Sequence, residues 1–439
     1  MFKTRRRFKL RLLLMAWGLT LCSVMAYAEP PLGLTELNRL ALSQNKDLRA
    51  ARFTIAMAKG RLIQAGLWPN PSLELTNTDD RFFKDEGEYT RSVLINQPLP
   101  VSGRLARQKA LACIELARAQ AELRETARQV SAKVATAFYA LVVAENRMQQ
   151  LNYLRHLNQV LVRVSHNRYH AAEISELDDN AARMEYARIE QDQALLKSQL
   201  VSQYATLNQL LGRKPTSPLR IKKAILLPTA QPKLAHLINK ALRYRPDRQG
   251  LLLAVKLAEA QRNLALAERF ADWTLGVGVE KDKIVVEGAP PQEADKALTV
   301  SLSVPLPLFN GNQGRILEAG ATKTQALMAM NALNLAIETE VVSNFSQVNV
   351  LKSSLLHTKA TSLRLGLANV KLARDAYQKG QMSLLNVLQV QRQQNDLQTA
   401  YLTTVEKYFQ SYVALCTAIG VSSGSDFCAY LASAKECTK

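Results

Sequence analysis

Glycine and proline are absent from the whole stretch 104–211, and proline is absent from everything after Pro307. Both regions are rich in Ala, Leu, Glu, Gln, Lys and Arg, which are strong helix formers. A stretch of this length is too long for one ordinary globular helix. The sequence therefore predicts two long helical regions, each of which must fold back on itself.

Cysteine is scarce, with five residues in 439, and no two of them form a C-x-x-C pair. Zinc sites and thioredoxin-like sites built on that motif are therefore not indicated. Cys428 and Cys437 would close a short loop near the C-terminus in an oxidising compartment. The sequence leaves open whether these two residues form a disulfide.

Familiar catalytic motifs are also missing. The chain has no HExxH, no GxSxG and no phosphate-binding GxxxxGK, and no acid pair lies in a recognisable catalytic context. We therefore expect a protein that is not an enzyme and that needs no cofactor.

The N-terminal residues 1–28 have the three parts of a signal peptide. A basic run, MFKTRRRFKLR, precedes the apolar LLLMAWGLTLCSVM, and AYA at 26–28 matches the small-x-small cleavage pattern. The apolar part is shorter than the about 20 residues that span a membrane. We expect cleavage after Ala28 and export of the mature chain. Lipidation at Cys22 and a twin-arginine signal are the alternatives for this segment.

Acidic residues are too few to balance the basic ones. The net charge is +20, and the signal peptide holds six positive residues and no acid, which leaves +14 on the mature chain. Such a charge suits nucleic acid or an anionic membrane surface, and export argues against nucleic acid. The charges are spread along helices, as solvated faces require, and a contact with lipopolysaccharide remains an open alternative.

The chain is an internal duplication. YHAAEISELDD at 169–179 and YQKGQMSLLN at 377–386 mark the two places where the helices fold back, and Ser175 resembles the N-cap of a new helix. ALSQNKDL at 41–48 matches ALRYRPDR at 241–248. Such matches at fixed offsets indicate two repeats, 29–232 and 233–420, followed by a tail at 421–439. The pairs that share an offset of 208 are Tyr169 and Tyr377, Ser175 and Ser383, and Gly212 and Gly420.

Each repeat also contains a pair of strands. Apolar residues alternate with polar ones over 296–306, 273–280 and 73–76, and less regularly over 89–97. A Pro-Leu-Pro segment and then a glycine follow the second strand of each pair. Because proline cannot continue a ladder or a helix interior, these segments should turn a strand into a long helix. The predicted turn residues are Pro98, Pro100, Gly103, Pro305, Pro307 and Gly311.

Length predicts how the helices stack. A helix over 104–172 would be about 100 Å long, and the returning helix at 175–211 covers about half of it. We expect the helix at 234–270 to supply the missing half, and the helix at 35–67 to stack in the same way on 383–419. The strands then lie at one end and the fold-backs at the other.

These patterns resemble those of the TolC-type outer-membrane efflux factors. The duplicated strand, Pro-x-Pro, glycine and long-helix order carries the resemblance, together with the Tyr-x-x-Gly-x-x-Ser turn at 377–383. QAGLWPNPSLEL at 64–75 and QPLPVSGR at 97–104 are most similar to the heavy-metal (CzcC-like) branch.

The resemblance implies a mainly α fold with a small β part. It implies a homotrimer whose strands form a twelve-stranded β-barrel in the outer membrane, among its lipids, and whose helices form a tube in the periplasm. It further implies an exit duct that works with a periplasmic adaptor protein and an inner-membrane efflux pump, here for heavy-metal cations. The alternatives are a drug or general-solute duct of the same family, or a periplasmic coiled-coil adaptor or scaffold without a channel.

The fold-backs should form the periplasmic tip. In the family, acidic residues on the second repeat often ring the closed end, but the matching positions here are Asn386 and Gln389. The first repeat instead offers four acids that could attract cations in three copies. The alternative is that these acids only stabilise the N-terminus of the helix through its dipole, and form no gate. They are Glu173, Glu176, Asp178 and Asp179.

Other residues near the tip have simpler roles. Tyr169, Tyr377 and Gly380 should pack the turns that Ser175 and Ser383 begin. A further pair, His166 and His170, has the i, i+4 spacing of metal ligands. Arginines lie nearby and no third ligand is visible, so we interpret the pair as surface histidines and predict no metal site.

Overall fold

A computed structural model describes residues 31–421, except 84–86, 226, 228–231, 287, 289 and 291. The predicted signal peptide with Cys22 lies outside the described residues. So do Cys428 and Cys437, and all of the tail beyond Val421.

The described residues form nine α-helices and four β-strands in the predicted order. The strands are β1 (Ser72–Asp79), β2 (Tyr89–Leu99), β3 (Trp273–Lys283) and β4 (Asp295–Ser303). The helices of the first repeat are α1 (Leu34–Gln44), α2 (Lys46–Ala65), α3 (Arg104–His170) and α4 (Glu176–Leu210). Those of the second are α5 (Leu234–Tyr244), α6 (Pro246–Ala267), α7 (Gln313–Ala360), α8 (Ser362–Gln378) and α9 (Leu384–Ala418).

The four strands form one antiparallel sheet in the order β1-β2-β3-β4. Each repeat contributes one hairpin, and the pairing of β2 with β3 joins the two repeats. The ladders run without a skipped residue, so residues paired across the strands share a face. One such row joins Leu73, Ile95, Val277 and Val300.

The helices stack differently from the prediction. The C-terminus of α4 abuts the α1–α2 junction of its own repeat, where the Asn45 amide donates to the Leu210 carbonyl at 2.8 Å. The same side chain caps α2 by accepting from the Leu48 amide at 2.9 Å. Gly212 then packs so closely that a Cβ would lie 2.3 Å from the Gln44 carbonyl oxygen. The expectation that 175–211 continues into 234–270 is therefore wrong, because one buried Asn closes both helix ends within one repeat.

The second repeat uses an arginine at the equivalent place. Arg245 is buried at the α5–α6 junction, donates to the Ala418 carbonyl at 3.4 Å and lies against Gly420. Its charge is balanced by Asp247 and Glu340, each at 2.6 Å. Thus α9 stacks on α5 and α6, and the expected stacking of 35–67 on 383–419 is wrong for the same reason.

Three hydrophobic clusters form the core of the described residues: one for each repeat, and a third near the fold-backs, where α3, α4, α8 and α9 meet. The first is built on α1, α3 and α4, and the second on α5, α7 and α9. Tyr139 of α3 joins them by stacking on Phe409 of α9, with ring centroids 4.0 Å apart and planes 7° apart. The duplication predicted from sequence is therefore visible as two packed halves.

The long helix α3 has the predicted length of about 100 Å. Its counterpart in the second repeat is divided into α7 and α8 by one non-helical residue, Thr361. No helix within the described ranges combines the length and the apolar composition that a membrane crossing requires.

The close approach of β2 and β3 leaves no room for a side chain at Gly278. A Cβ there would lie 2.2 Å from the Val93 carbonyl oxygen and 2.7 Å from the Leu94 Cα, so backbone would have to move. We expect Gly278→Ala to lower the free energy of unfolding by about 2 kcal/mol, in the range of other overpacked sites. The thermal midpoint and the yield of folded protein would measure the effect.

Gly250→Ala in α6 is the matched control. No atom lies within 4 Å of its added Cβ, and helix propensity favours Ala by about 0.5–1 kcal/mol. Equal thermal midpoints for the two variants would contradict the close approach of the strands.

Candidate functional site

The sheet has one apolar face that stays open in the single chain. Leu298 is 73% exposed and Leu75 is 68% exposed, although residues of this type are normally buried. The strands have 8 to 11 residues, close to the about 9–11 that a transmembrane β-strand needs. The residues of this face have the chemistry of a surface that contacts lipid. They include Leu73, Leu75, Val93, Ile95, Leu275, Val277, Val279, Leu298, Val300 and Leu302.

The opposite face is polar and carries charge of one sign. Of the residues that form the four strands, no Lys or Arg lies on this face. Two carboxylates, Asp282 and Asp295, lie directly opposite each other on β3 and β4. The polar face is therefore acidic in a chain whose net charge is strongly positive. Its carboxylates are Glu74, Glu280, Asp282 and Asp295.

The strand-to-helix turns differ between the repeats. Pro98 is the last but one residue of β2, Pro100 follows it, and Gly103 is the N-cap of α3 with φ of 71°. In the second repeat, Pro305 and Pro307 follow β4 as predicted.

The residue that adopts positive φ in the second repeat is not the predicted one. Asn312, the N-cap of α7, has φ of 61°, whereas Gly311 precedes it outside the left-handed region. The turn there thus uses Asn, the other residue type that tolerates this conformation.

The two fold-backs have the same backbone and different chemistry. Ser175 caps α4 by accepting from the Asp178 amide at 3.2 Å, and Ser383 caps α9 by accepting from the Asn386 amide at 3.4 Å. Ala172 has φ of 56° at the position where the second repeat has Gly380 with φ of 74°. The predicted tip residues therefore lie at the two turns that end the hairpins.

The two matched tyrosines are not equivalent. Tyr377 is 2% exposed, and its hydroxyl lies 3.3 Å from the Ser165 hydroxyl, while the Arg168 guanidinium lies over its ring at 5.1 Å. Tyr169 is 36% exposed. Only Tyr377 therefore packs the contact between the two hairpins.

The four acids of the first turn have different surroundings. Glu173 accepts from Arg168 at 2.8 Å, and Asp178 accepts from the Ser175 hydroxyl at 2.9 Å. Asp179 is 2% exposed and pairs with Arg183 at 2.7 Å. Glu176 is exposed in the first turn of α4, and Asn386 and Gln389 are exposed on α9. Their roles at an aperture stay predictions.

The histidine pair is close in space. The Nε2 atoms of His166 and His170 lie 3.1 Å apart, and Arg183 lies 2.9 Å from the His166 Nδ1 atom. In the part of the chain that the structure describes, no group of three or more ligand-type side chains is placed to hold a metal ion.

Sequence reasoning missed an ion pair that joins the two hairpins. Glu185 of α4 is 4% exposed and accepts from Arg392 of α9, from Nε at 2.9 Å and from Nη2 at 2.7 Å. It also accepts from Arg188 at 2.6 Å. Burial raises the pKa of Glu185, but the bonds from Arg188 and Arg392 outweigh it, so its pKa lies below the usual value.

The family model described as outer membrane efflux protein matches residues 37–213 and again 237–421, once for each repeat. The chain belongs to this family of outer-membrane channels, which extend into the periplasm and are not enzymes.

Individual relatives agree with this assignment. The cobalt-zinc-cadmium resistance protein CzcC of Cupriavidus metallidurans is 25% identical over 403 residues, covering 90% of this chain and 91% of CzcC. The structure of CusC has a TM-score of 0.71 at 18% identity, covering 88% of this chain and 92% of CusC. The CmeC outer membrane channel of Campylobacter jejuni has a TM-score of 0.73 at 14% identity, covering 88% of this chain and 85% of CmeC.

These comparisons confirm the main sequence predictions. The fold is mainly helical with a small β part, as in the solved channels, and a trimeric barrel is consistent with the family. The predicted outer-membrane location and the efflux channel class are likewise confirmed.

The ion pair between the hairpins predicts a pH dependence. Because the pKa of Glu185 is lowered in the folded chain, its contribution is present above the unfolded value of about 4.3 and is lost as the pH falls through the folded value. We expect Glu185→Gln to lower the free energy of unfolding by about 1–2 kcal/mol near pH 7. Thermal midpoints measured from pH 7 to pH 3 should show the difference from wild type shrinking below about pH 4.3.

Glu190→Gln is the control, because Glu190 is also on α4 but is exposed. It should change the thermal midpoint little at any pH. A deficit of Glu185→Gln that stays constant over the whole range would contradict the assigned ion pair.

Proposed function

We propose that this protein is the exit duct of a tripartite efflux system for heavy-metal cations. It would act as a homotrimer, with a periplasmic adaptor protein and an inner-membrane pump as partners. The observation that carries the proposal is the acidic polar face, which holds four carboxylates and no cation among the strand residues. The similarity to a cobalt-zinc-cadmium resistance protein supports the cargo class.

The open edges of the sheet support a trimer. In lipid, every backbone group must be paired, and β1 and β4 each have one neighbour within the chain. Two copies would give eight strands, whose interior side chains just fill, whereas three give twelve and leave a lumen. With the apolar face toward lipid, the polar face lines that lumen.

The acidic lumen would attract cations by electrostatics alone, without any chemical reaction. Carboxylates on the wall raise the local concentration of cations and disfavour anions. Asp282 and Asp295 lie opposite each other, and like charges at such positions are stabilised by a cation between or near them. Glu280 accepts from Thr299 at 3.4 Å and Asp282 from Thr90 at 2.7 Å, which holds both carboxylates at the wall. The duct then needs no high-affinity metal-binding site, and the energy for export comes from the inner-membrane pump.

The lumen assignment predicts ion selectivity. The double variant Glu280→Gln and Asp282→Asn removes half of the strand carboxylates of the polar face and keeps their shape. We expect the ratio of cation to anion permeability to fall toward one in planar bilayers. Asp79→Asn is the control, because Asp79 lies on the apolar face and should not alter selectivity. Equal selectivity of wild type and double variant would place the acids outside the conducting path.

The cargo is tested in cells. A deletion strain and its complemented parent are challenged below the lethal dose, and cell-associated zinc, cobalt, cadmium, nickel and copper are measured by mass spectrometry. We expect the deletion strain to retain one or more of these metals, and complementation to reverse it. Retention of a fluorescent dye is measured in the same two strains. Unchanged metal together with dye retained in the deletion strain would move the duct to the drug or general-solute class.

A further inference from the structure

Three cations lie side by side on the apolar face, near the end of the sheet that is remote from the helices. The register places Arg91 opposite Lys281, and Lys281 opposite Lys296, so they form one row across β2, β3 and β4. We call these three residues the cation row. Like charges directly opposite each other on one face destabilise a sheet. An anion that binds against the row would relieve this repulsion.

The chain itself neutralises the row only in part. Arg91 donates to the Asn77 side chain at 3.0 Å and lies 3.8 Å from the Asp79 carboxylate. Among the residues that the structure describes, no carboxylate forms an ion pair with Lys281 or Lys296.

The other acids of β3 are on the wrong face to help. Glu280 and Asp282 alternate with Lys281 and point to the polar face, where their partners are threonines. Charge of opposite sign is thus segregated across the thickness of the sheet. The excess positive charge faces outward.

The cation row borders an apolar cleft. A cleft of about 500 Å³ is lined by the row and by Val93, Val279 and Leu298, one step further along the same face. Glu280 and Ala297, which lie between these residues along β3 and β4, complete the lining. Tyr89 lies beside it, with the Arg91 guanidinium 4.8 Å and the Lys281 amine 5.9 Å from its ring centre. Cations next to an apolar surface fit a ligand that has an anionic head and a hydrocarbon tail.

The depth of the row agrees with a lipid headgroup. Trp273 begins β3 at the helical end, and Lys281 is eight residues further along, which is about 27 Å along the strand and about 20 Å across the membrane at a strand tilt of about 35–45°. The long lysine and arginine side chains extend the charges further toward the membrane surface. Outer-membrane barrels have an apolar band about 25 Å tall with aromatic residues at both borders. Because the helices extend into the periplasm, the cation row lies at the outer leaflet.

We propose that the cation row binds the phosphate groups of phosphorylated lipids of the outer leaflet, as found in lipid A. Arg91 supplies a planar fork for phosphate oxygens, and the two lysines supply point charges. Val93, Val279 and Leu298 contact the acyl chains below. This site accounts for part of the basic charge that metal-cation efflux leaves unexplained.

The test uses the purified full-length protein in mild detergent. Binding of bisphosphorylated lipid A is followed by native mass spectrometry, beside the same lipid after removal of both phosphates. We expect wild type to bind the phosphorylated form at least tenfold more tightly. Equal binding of the two forms would overturn the proposal, because the apolar band alone would then explain the contact. This comparison needs no variant and cannot be lost to misfolding.

A triple variant locates the site. Arg91→Gln with Lys281→Gln and Lys296→Gln should lose at least tenfold in affinity for bisphosphorylated lipid A. The control carries the same charge change on exposed helix residues, as Lys59→Gln, Lys197→Gln and Arg262→Gln, and should bind like wild type. If both variants lost affinity equally, the effect would be explained by the change in net charge alone, and the proposal would be overturned.

Free phosphate distinguishes the source of the anion. Inorganic phosphate at millimolar concentration should not displace the lipid, because it lacks the acyl chains that the cleft contacts. Displacement would show a general anion site and overturn the assignment to lipid. The outcome does not depend on the exported cargo, since ion selectivity and metal retention are measured separately.

Discussion

Backbone hydrogen bonding in lipid is the constraint on which the rest of this structure depends. The described part of the chain forms one sheet of four strands, in which β1 and β4 each leave one edge open, and a membrane leaves no such edge unpaired. Closure by further copies fixes which face meets lipid and which meets water. The apolar face is the side that meets lipid in the closed barrel, and the acidic polar face is the side that meets water.

The repeats are held together by a small number of polar contacts at helix ends. Asn45 and Arg245 occupy equivalent junctions and satisfy carbonyl groups that would otherwise end a helix without partners. An amide does this in one repeat, and a buried guanidinium with two carboxylates does it in the other. The same backbone arrangement is thus stabilised by two different chemistries.

Much of the fold was predictable because its signals are local. The fold-back serines cap their helices as expected, and the period-two pattern gave strands that the structure pairs in one sheet. Contacts between distant residues were not predictable. Nothing in the sequence joins Glu185 to Arg392 or Asn45 to Leu210, and length alone suggested the wrong helix stacking. The row of Arg91, Lys281 and Lys296 exists only once the register is known.

The pairing of β2 with β3 also affects the order of folding. It brings together residues such as Thr90 and Asp282, which are 192 residues apart, whereas each helical hairpin closes on itself. Closing so long a loop is slow and must follow the local contacts. We therefore expect the helices and the two strand hairpins to form before β2 pairs with β3, which leaves one edge of each hairpin open in the periplasm until then. During that interval the open strand edges and the apolar face would make the chain prone to aggregation.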